Sequence, residues 1–166
     1  MQVTYERDIG APPEVLWSAL LTPAVLQACM PGCESVTGSP EAGYDAVVGF
    51  RLAGIRVHLS GRIIVTDMDP PHSLHITGEG KGGAAGLVRG GARVTLTPIP
   101  GGTRLGYEID GAVEGRLSQI SGRIVSGVAH RLADEFFARL GQSVGAPSPD
   151  APEPPGGKGW FRRLAG

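Results

Sequence analysis

Cys29 and Cys33 are the two residues whose type and spacing come nearest to a reactive or metal-binding pair. A structural zinc site normally needs four cysteine or histidine ligands. The histidines are scattered along the chain: His58, His72, His75 and His130. A cysteine nucleophile would need a lowered pKa and a nearby base, and the sequence offers no Cys-His-Asn pattern. We therefore expect no metal site, and we interpret the cysteines as one or two buried thiols beside a turn.

Carboxylates and glycines supply two further candidate sites. Glu108, Asp110 and Glu114 share one side of a segment and could serve acid–base chemistry, but that side lies opposite the apolar residues, so we interpret it as a solvated face. The glycines between 78 and 86 resemble a phosphate loop without its Gly-Lys-Ser/Thr ending or its helix. We interpret them as a flexible hairpin that gates the mouth of an apolar cavity, which is predicted below from the strands and the long helix. We expect no catalytic residue, and hence no enzyme.

Alternation of apolar and polar residues predicts that these carboxylates and glycines lie on β-strands. Val3, Tyr5 and Ile9 predict a first strand, and Arg7 shares their face. A buried arginine needs a partner, so we expect this side chain to reach solvent at a sheet edge. Two short helices that begin near prolines follow. Alternation between residues 44 and 114 then predicts an antiparallel meander with one apolar face.

The apolar period changes from two to three or four after residue 115. The residues of this stripe are Leu117, Ile120, Ile124, Val128, Leu132, Phe136 and Leu140. They predict a helix over residues 116–140, roughly 37 Å long, which must cover the apolar face of the sheet. The expected fold class is α+β, a helix-grip. In it a curved antiparallel sheet of about six to seven strands grips a long C-terminal helix, with two short helices after strand one.

Small residues face each other across this predicted interface. On the helix they are Gly122, Ser126, Gly127, Ala129 and Ala133; on the strands they are Gly61, Gly78, Gly80, Gly90 and Ala92. Too few large side chains remain to fill the space, which predicts an internal apolar cavity. The alternative is a helix that packs closer onto the sheet.

Inward-facing apolar residues around this space are the predicted ligand contacts. They are Trp17, Met30, Phe50, Leu59, Ile76, Val94, Tyr107, Ile109, Ile120, Ile124 and Val128. Tyr107 and Tyr44 could each offer a hydroxyl to a ligand carbonyl, or could be core aromatics with a satisfied hydroxyl.

Several short motifs, in order and spacing, resemble the carbon monoxide dehydrogenase G-subunit family of the START-like (SRPBCC) group over residues 2–140. The motifs are Pro13-Glu14-Val15-Leu16-Trp17, Cys29-Met30-Pro31-Gly32-Cys33, Tyr44 to Gly49, Gly61 to Asp69-Pro70-Pro71, Gly102-Thr103-Arg104-Leu105 with Tyr107, and Gly111 with Gly115-Arg116-Leu117. The resemblance implies a helix-grip fold without an intrinsic redox cofactor. It also implies a menaquinone-like ligand in the cavity and association with the subunits of a molybdenum-containing dehydrogenase.

The composition changes abruptly after residue 144, the expected end of the domain that spans residues 1–144. Residues 145–159 are rich in proline and glycine and predict a disordered linker, which would reach roughly 45 Å when extended. Residues 160–166 predict an amphipathic tip that suits an anionic membrane. Its membrane contacts would be Trp160, Phe161, Arg162, Arg163 and Leu164. A motif for a partner protein, or an unused tip, are the alternatives.

Net charge and the N-terminal sequence argue against two classes of protein, nucleic-acid-binding proteins and secreted proteins. The net charge of −1 does not favour nucleic-acid binding, and the N-terminus has no signal-peptide pattern. We expect a cytoplasmic protein at the inner face of the membrane. The family resemblance implies that it would carry a hydrophobic small molecule, such as menaquinone, between the membrane and a molybdenum-containing dehydrogenase. A ligand-free adaptor that anchors or assembles the dehydrogenase is the alternative.

Overall fold

The computed structural model of the chain describes residues 2–144. The predicted linker and tip, residues 145–159 and 160–166, lie outside the described residues. The helices are α1 (Pro13–Leu21), α2 (Pro23–Cys29) and α3 (Gly122–Ser143). The strands are β1 (Gln2–Ile9), β2 (Cys33–Ser39), β3 (Gly43–Leu52), β4 (Ile55–Asp69), β5 (Ser73–Lys81), β6 (Leu87–Ile99) and β7 (Gly102–Glu114). Two 3-10 turns, Gly83–Ala85 and Gly115–Gln119, precede β6 and α3.

The seven strands form one antiparallel sheet in the order β1-β7-β6-β5-β4-β3-β2. Strands β2 to β7 form a meander, and β1 pairs with the last strand, so that Tyr5 lies opposite Tyr107. The predicted α+β fold class, with its long C-terminal helix and two early short helices, is confirmed. Alternation does not identify β2, because a register shift between Cys33 and Ser35 interrupts its pattern.

Helix α3 begins six residues later than its apolar stripe predicts. Gly115 has a φ of +76°, a left-handed conformation that favours glycine, and it follows the end of β7. A 3-10 turn begins there, and the hydroxyl of Ser121 then accepts a hydrogen bond from the backbone N–H of Arg123. This N-cap starts the helix at Gly122. With 22 residues, α3 is about 33 Å long and extends to Ser143.

The C-terminal half of α3 anchors the helix to the main core. Its buried residues, Ala133, Phe136, Phe137, Leu140 and Gly141, all lie after residue 132. Phe137 stacks on Tyr107 with ring centroids 4.6 Å apart. The N-terminal half of α3 contributes no buried residue, so the two ends of the helix have different packing.

An ion pair joins β1 to this helix. The Arg7 guanidinium lies 2.9 Å from the Asp134 carboxylate, and the Arg7 side chain is 21% exposed. The expectation that Arg7 would reach solvent at a sheet edge is therefore wrong. The side of β1 that carries Arg7 faces α3. Asp134 on that helix supplies the partner that a largely buried arginine needs.

A second, smaller apolar cluster lies at the opposite end of the sheet. Its buried members are Leu52, Val57 and Leu117. Phe50 and Ile55 from the β3–β4 hairpin, with Ile120 and Val125 from the start of the helical region, pack against them. Apolar contacts thus hold the helical region to the sheet at both ends, and the N-terminal half of α3 crosses the space between them.

Candidate ligand-binding cavity

A cavity of about 800 Å³ lies between the sheet and the N-terminal half of α3. The α3 residues that line it fall between Gly122 and Ala129. Strands β3 to β7 supply the opposite wall, with Met30 at the end of α2. The volume is within the range of small-molecule sites, roughly 300–1,000 Å³. The space between helix and sheet, predicted from missing side-chain volume, is therefore present in the fold.

Glycines on neighbouring strands create much of this space. Gly61 lies opposite Gly80 on β4 and β5, and Gly78 lies opposite Gly90 on β5 and β6. A Cβ at Gly61 would lie 2.2 Å from the Glu79 carbonyl oxygen, so the strands approach too closely for a side chain. A Cβ at Gly78 would meet nothing nearer than 3.7 Å. Gly78 therefore leaves open volume where the backbone would accept a larger residue.

The structure brings together many of the predicted ligand contacts. Those that line the cavity are Met30, Phe50, Leu59, Ile76, Ile109, Ile120 and Val128. They come from the end of α2, from the strands and from the helical region, and they surround the space on several sides. Whether they contact a ligand stays a prediction.

Four predicted contacts lie elsewhere. Val94 and Tyr107 are both 2% exposed within the main core, nearer the C-terminal half of α3. Trp17 also packs against that core and does not line the cavity. Ile124 is 44% exposed. The late start of α3 turns Val125 toward the sheet in its place.

The tyrosine hydroxyls are not cavity groups. The Tyr44 hydroxyl donates a hydrogen bond to the Leu21 carbonyl oxygen at 2.6 Å. The Tyr107 hydroxyl is buried and has no hydrogen-bond partner among the described residues. Burial raises the pKa of both phenols above the ordinary value. Neither residue lines the cavity, so the idea that they meet a ligand carbonyl there is wrong in its geometry.

Sequence reasoning missed two lining residues on the helical side, Ser118 and Val125. Leu117 from the apolar stripe and Ser126 from the facing small residues also line the cavity, although neither was among the predicted ligand contacts. Val125 lies one position after the predicted stripe member Ile124. Ser121, a good N-cap residue close to the start of an apolar run, was the signal that could have set the helix phase correctly.

Charged groups near the cavity belong to the outer face of the sheet. Arg89 pairs with Glu79 at 3.4 Å, and Arg62 pairs with Asp45 at 3.1 Å. The Asp110 carboxylate accepts a hydrogen bond from the backbone N–H of Gly91. The acidic strand residues are therefore exposed or hydrogen-bonded on the outside, as the alternation predicts.

The cysteines do not form a chemical site with their neighbours. Cys29 is buried and Cys33 is half-buried, and neither is in a disulfide. Burial raises the pKa of both thiols above the ordinary value, which keeps them protonated near neutral pH. Over residues 2–144, no cluster of three or more histidine, cysteine or acidic side chains is arranged to hold a metal ion. In the same range, no helix has the length and hydropathy to cross a bilayer.

Known proteins resemble this chain in both sequence and structure. A family model described as the G subunit of carbon monoxide dehydrogenase (CoxG) matches residues 6–145. An uncharacterized protein of Mycobacterium tuberculosis is 34% identical over 102 residues, which are 60% of this chain and 67% of that protein. The family match spans the sheet, the cavity and α3 alike.

Two solved structures share the architecture. A conserved protein from Geobacillus kaustophilus has a TM-score of 0.80 and 29% identity, covering 87% of this chain and 95% of that one. A START superfamily protein from Mycobacterium smegmatis has a TM-score of 0.64 at 15% identity, covering 86% of this chain and 96% of that one. The second likeness shows the fold alone.

Proposed function

The chain belongs to the CoxG family, named for the G subunit of carbon monoxide dehydrogenase, and from this premise we propose that it is a non-enzymatic carrier of a menaquinone-like molecule. The ligand occupies the cavity between the sheet and α3. The carrier moves this ligand between the membrane and a molybdenum-containing dehydrogenase. Family membership and a START-like fold are typical of ligand-binding proteins without catalysis, which supports the general class.

The cavity is the single observation that carries the proposal. The apolar walls around a space of about 800 Å³ have fewer dispersion contacts than a packed core. Apolar side chains such as Phe50, Ile76 and Ile120 surround it. An apolar ligand of matching size would restore these contacts. Each buried methylene would contribute about 0.8 kcal/mol.

A polyprenyl-type ligand fits this lining better than a polar one. Ser118 and Ser126 are the hydroxyl-bearing residues among the lining side chains, and both come from the helical side. On the strand side the lining is mainly apolar and glycine-rich, and the charged strand residues Arg62, Glu79, Arg89 and Asp110 have polar partners on the outer face. A quinone has two carbonyl acceptors and a hydrocarbon tail, so its ring would orient toward the serines and its tail toward the strands.

The proposal also includes two interactions outside the cavity, one with the membrane and one with the dehydrogenase. The tip, residues 160–166, binds the membrane surface, and the linker lets the domain reach an associated dehydrogenase. A fully buried large apolar side chain contributes about 1.5–3 kcal/mol, which makes such an anchor weak and reversible after ordering costs.

The proposal is tested by identifying what the full-length protein carries after expression in a menaquinone-producing host. Native mass spectrometry should show a bound species, and solvent extraction should release a quinone in near-equimolar amount. A heat-denatured and refolded sample is the empty control. Protein that is reproducibly empty as purified and that takes up no added menaquinone would contradict the carrier function and favour the ligand-free adaptor.

A further inference from the structure

We propose that the folded domain has a membrane-docking end of its own, formed by arginines around the second apolar cluster. This surface, the arginine end, consists of Arg51, Arg56, Arg116 and Arg123 with the exposed Ile124. It would bind the anionic lipid surface directly, independently of the tip at residues 160–166 and of any ligand in the cavity.

The arginine end is built from two segments that meet. Leu52 and Ile55 of the β3–β4 hairpin pack in one cluster with Leu117, Ile120 and Val125. Arg51 and Arg56 flank the hairpin residues, while Arg116 and Arg123 are neighbours in sequence of the helical ones. All four arginines are exposed. The packing therefore brings four cations to one end of the molecule.

The charge at this end contrasts with the rest of the chain. The segments 51–56 and 115–124 contain these four arginines and no acidic residue, and the exposed Glu114 is the nearest acid in sequence, whereas the whole chain has a net charge of −1. Arginines elsewhere, such as Arg62, Arg89 and Arg104, pair with carboxylates. In the described part of the chain, none of the four forms an ion pair.

Three of these arginines lie at positions where a positive charge is unfavourable for the fold itself. Arg51 lies directly opposite Arg56 across β3 and β4, and like charges in cross-strand pairs are destabilising. Arg123 is in the first turn of α3, at the positive end of its dipole, where the first turn contains no acid. An external anionic surface would relieve both repulsions.

An exposed isoleucine favours lipid over a soluble acidic partner. Ile124, at 44% exposure, lies next to Arg123 and belongs to neither apolar cluster. Aliphatic and cationic residues on one surface are the pattern of interfacial lipid binding.

The cavity also reaches the surface at the arginine end, because Ser118 and Gly122 are exposed and line the cavity.

The proposal is tested by vesicle co-sedimentation of the full chain and its variants. The probe is phosphatidylcholine–phosphatidylglycerol vesicles, with phosphatidylcholine vesicles as the uncharged reference. The variants are R51Q/R56Q and R116Q/R123Q, and the matched control is R93Q/R131Q, which removes two exposed arginines elsewhere. Circular dichroism melts establish that each variant is folded.

We expect each pair at the arginine end to weaken binding to anionic vesicles by about tenfold or more, because each cation near such a surface contributes measurably. The control pair should change the affinity by less than about twofold. Equal losses in all three pairs would show a non-specific charge effect and overturn the proposal. Unchanged affinity at the arginine end would overturn it too, and would favour an acidic protein partner. Because binding is measured without the quinone, an empty cavity does not decide this outcome.

Discussion

The two core tyrosines show how single hydroxyl groups differ within one fold. Tyr44 and Tyr107 are 1% and 2% exposed. The Tyr44 hydroxyl donates to a backbone carbonyl at 2.6 Å, whereas the Tyr107 hydroxyl has no partner among the described residues. A buried polar group without a hydrogen bond costs free energy on folding, while a satisfied one contributes about 1 kcal/mol.

This contrast gives a paired prediction. Tyr44→Phe should lower the free energy of unfolding by about 1 kcal/mol, since the hydrogen bond to the Leu21 carbonyl is lost. Tyr107→Phe should leave it unchanged or raise it by up to about 1 kcal/mol, since no bond is lost. Urea denaturation of both variants measures the difference. An equal loss in the two variants would mean that the Tyr107 hydroxyl has a bound partner in solution.

At the scale of elements, α3 is a helix with two distinct halves. Its C-terminal half is anchored by stacked aromatic rings, and Phe136 meets Phe137 edge-to-face with centroids 5.0 Å apart. Its N-terminal half faces the cavity. The Arg7–Asp134 ion pair lies at the border between these halves.

The ion pair predicts a stability effect that can be measured on one helix. Asp134→Asn should lower the free energy of unfolding by about 1 kcal/mol, because Arg7 would lose its charged partner in a half-buried environment. Glu135→Gln is the control, since its contact with Arg139 is exposed and 4.0 Å long. If both substitutions cost the same, the pair does not anchor the helix.

Much of this element structure follows from sequence pattern. Period-two alternation identifies the long strands, because one face of the sheet is dry and the other is wet. The start of α3 does not follow from the apolar stripe alone, since Leu117 and Ile120 continue that stripe through a 3-10 turn. The cap at Ser121 decides the helix phase. For that reason the stripe assigns Ile124 to the cavity, whereas the structure places Val125 there.

The location of the cavity also depends on the three-dimensional fold. Val94 and Tyr107 share the inward face with true lining residues such as Ile76 and Ile109. Strand alternation gives the face of a residue and not its position along the sheet. Their burial depends on Phe136 and Phe137, which fill the space above them. Sequence pattern alone could not show which part of the helix packs against the sheet and which part is separated from it by the cavity.

At the scale of the whole molecule, an apolar core at one end and a smaller cluster at the other leave a space between them. The cavity opens beside a surface of four arginines. The proposed carrier function requires both features, an apolar space for the ligand and a place where that ligand enters or leaves. One sheet and one helix are enough to supply them.

The most direct test of the carrier account fills the cavity from within. Gly78→Leu adds a side chain at a lining position where a Cβ meets only ordinary contacts. Gly127→Leu is the matched control, because Gly127 is exposed on α3 and its Cβ would meet nothing within 4 Å. Both variants should remain folded and unfold cooperatively in urea.

The measurement is equilibrium dialysis of a short-chain menaquinone against the wild-type chain and both variants. We predict saturable binding to the wild type and to Gly127→Leu. Gly78→Leu should bind at least about tenfold more weakly, which corresponds to the loss of about two buried ligand methylenes. Equal affinity of the Gly78→Leu and wild-type proteins, or no binding by either, would contradict the claim that this cavity carries the ligand.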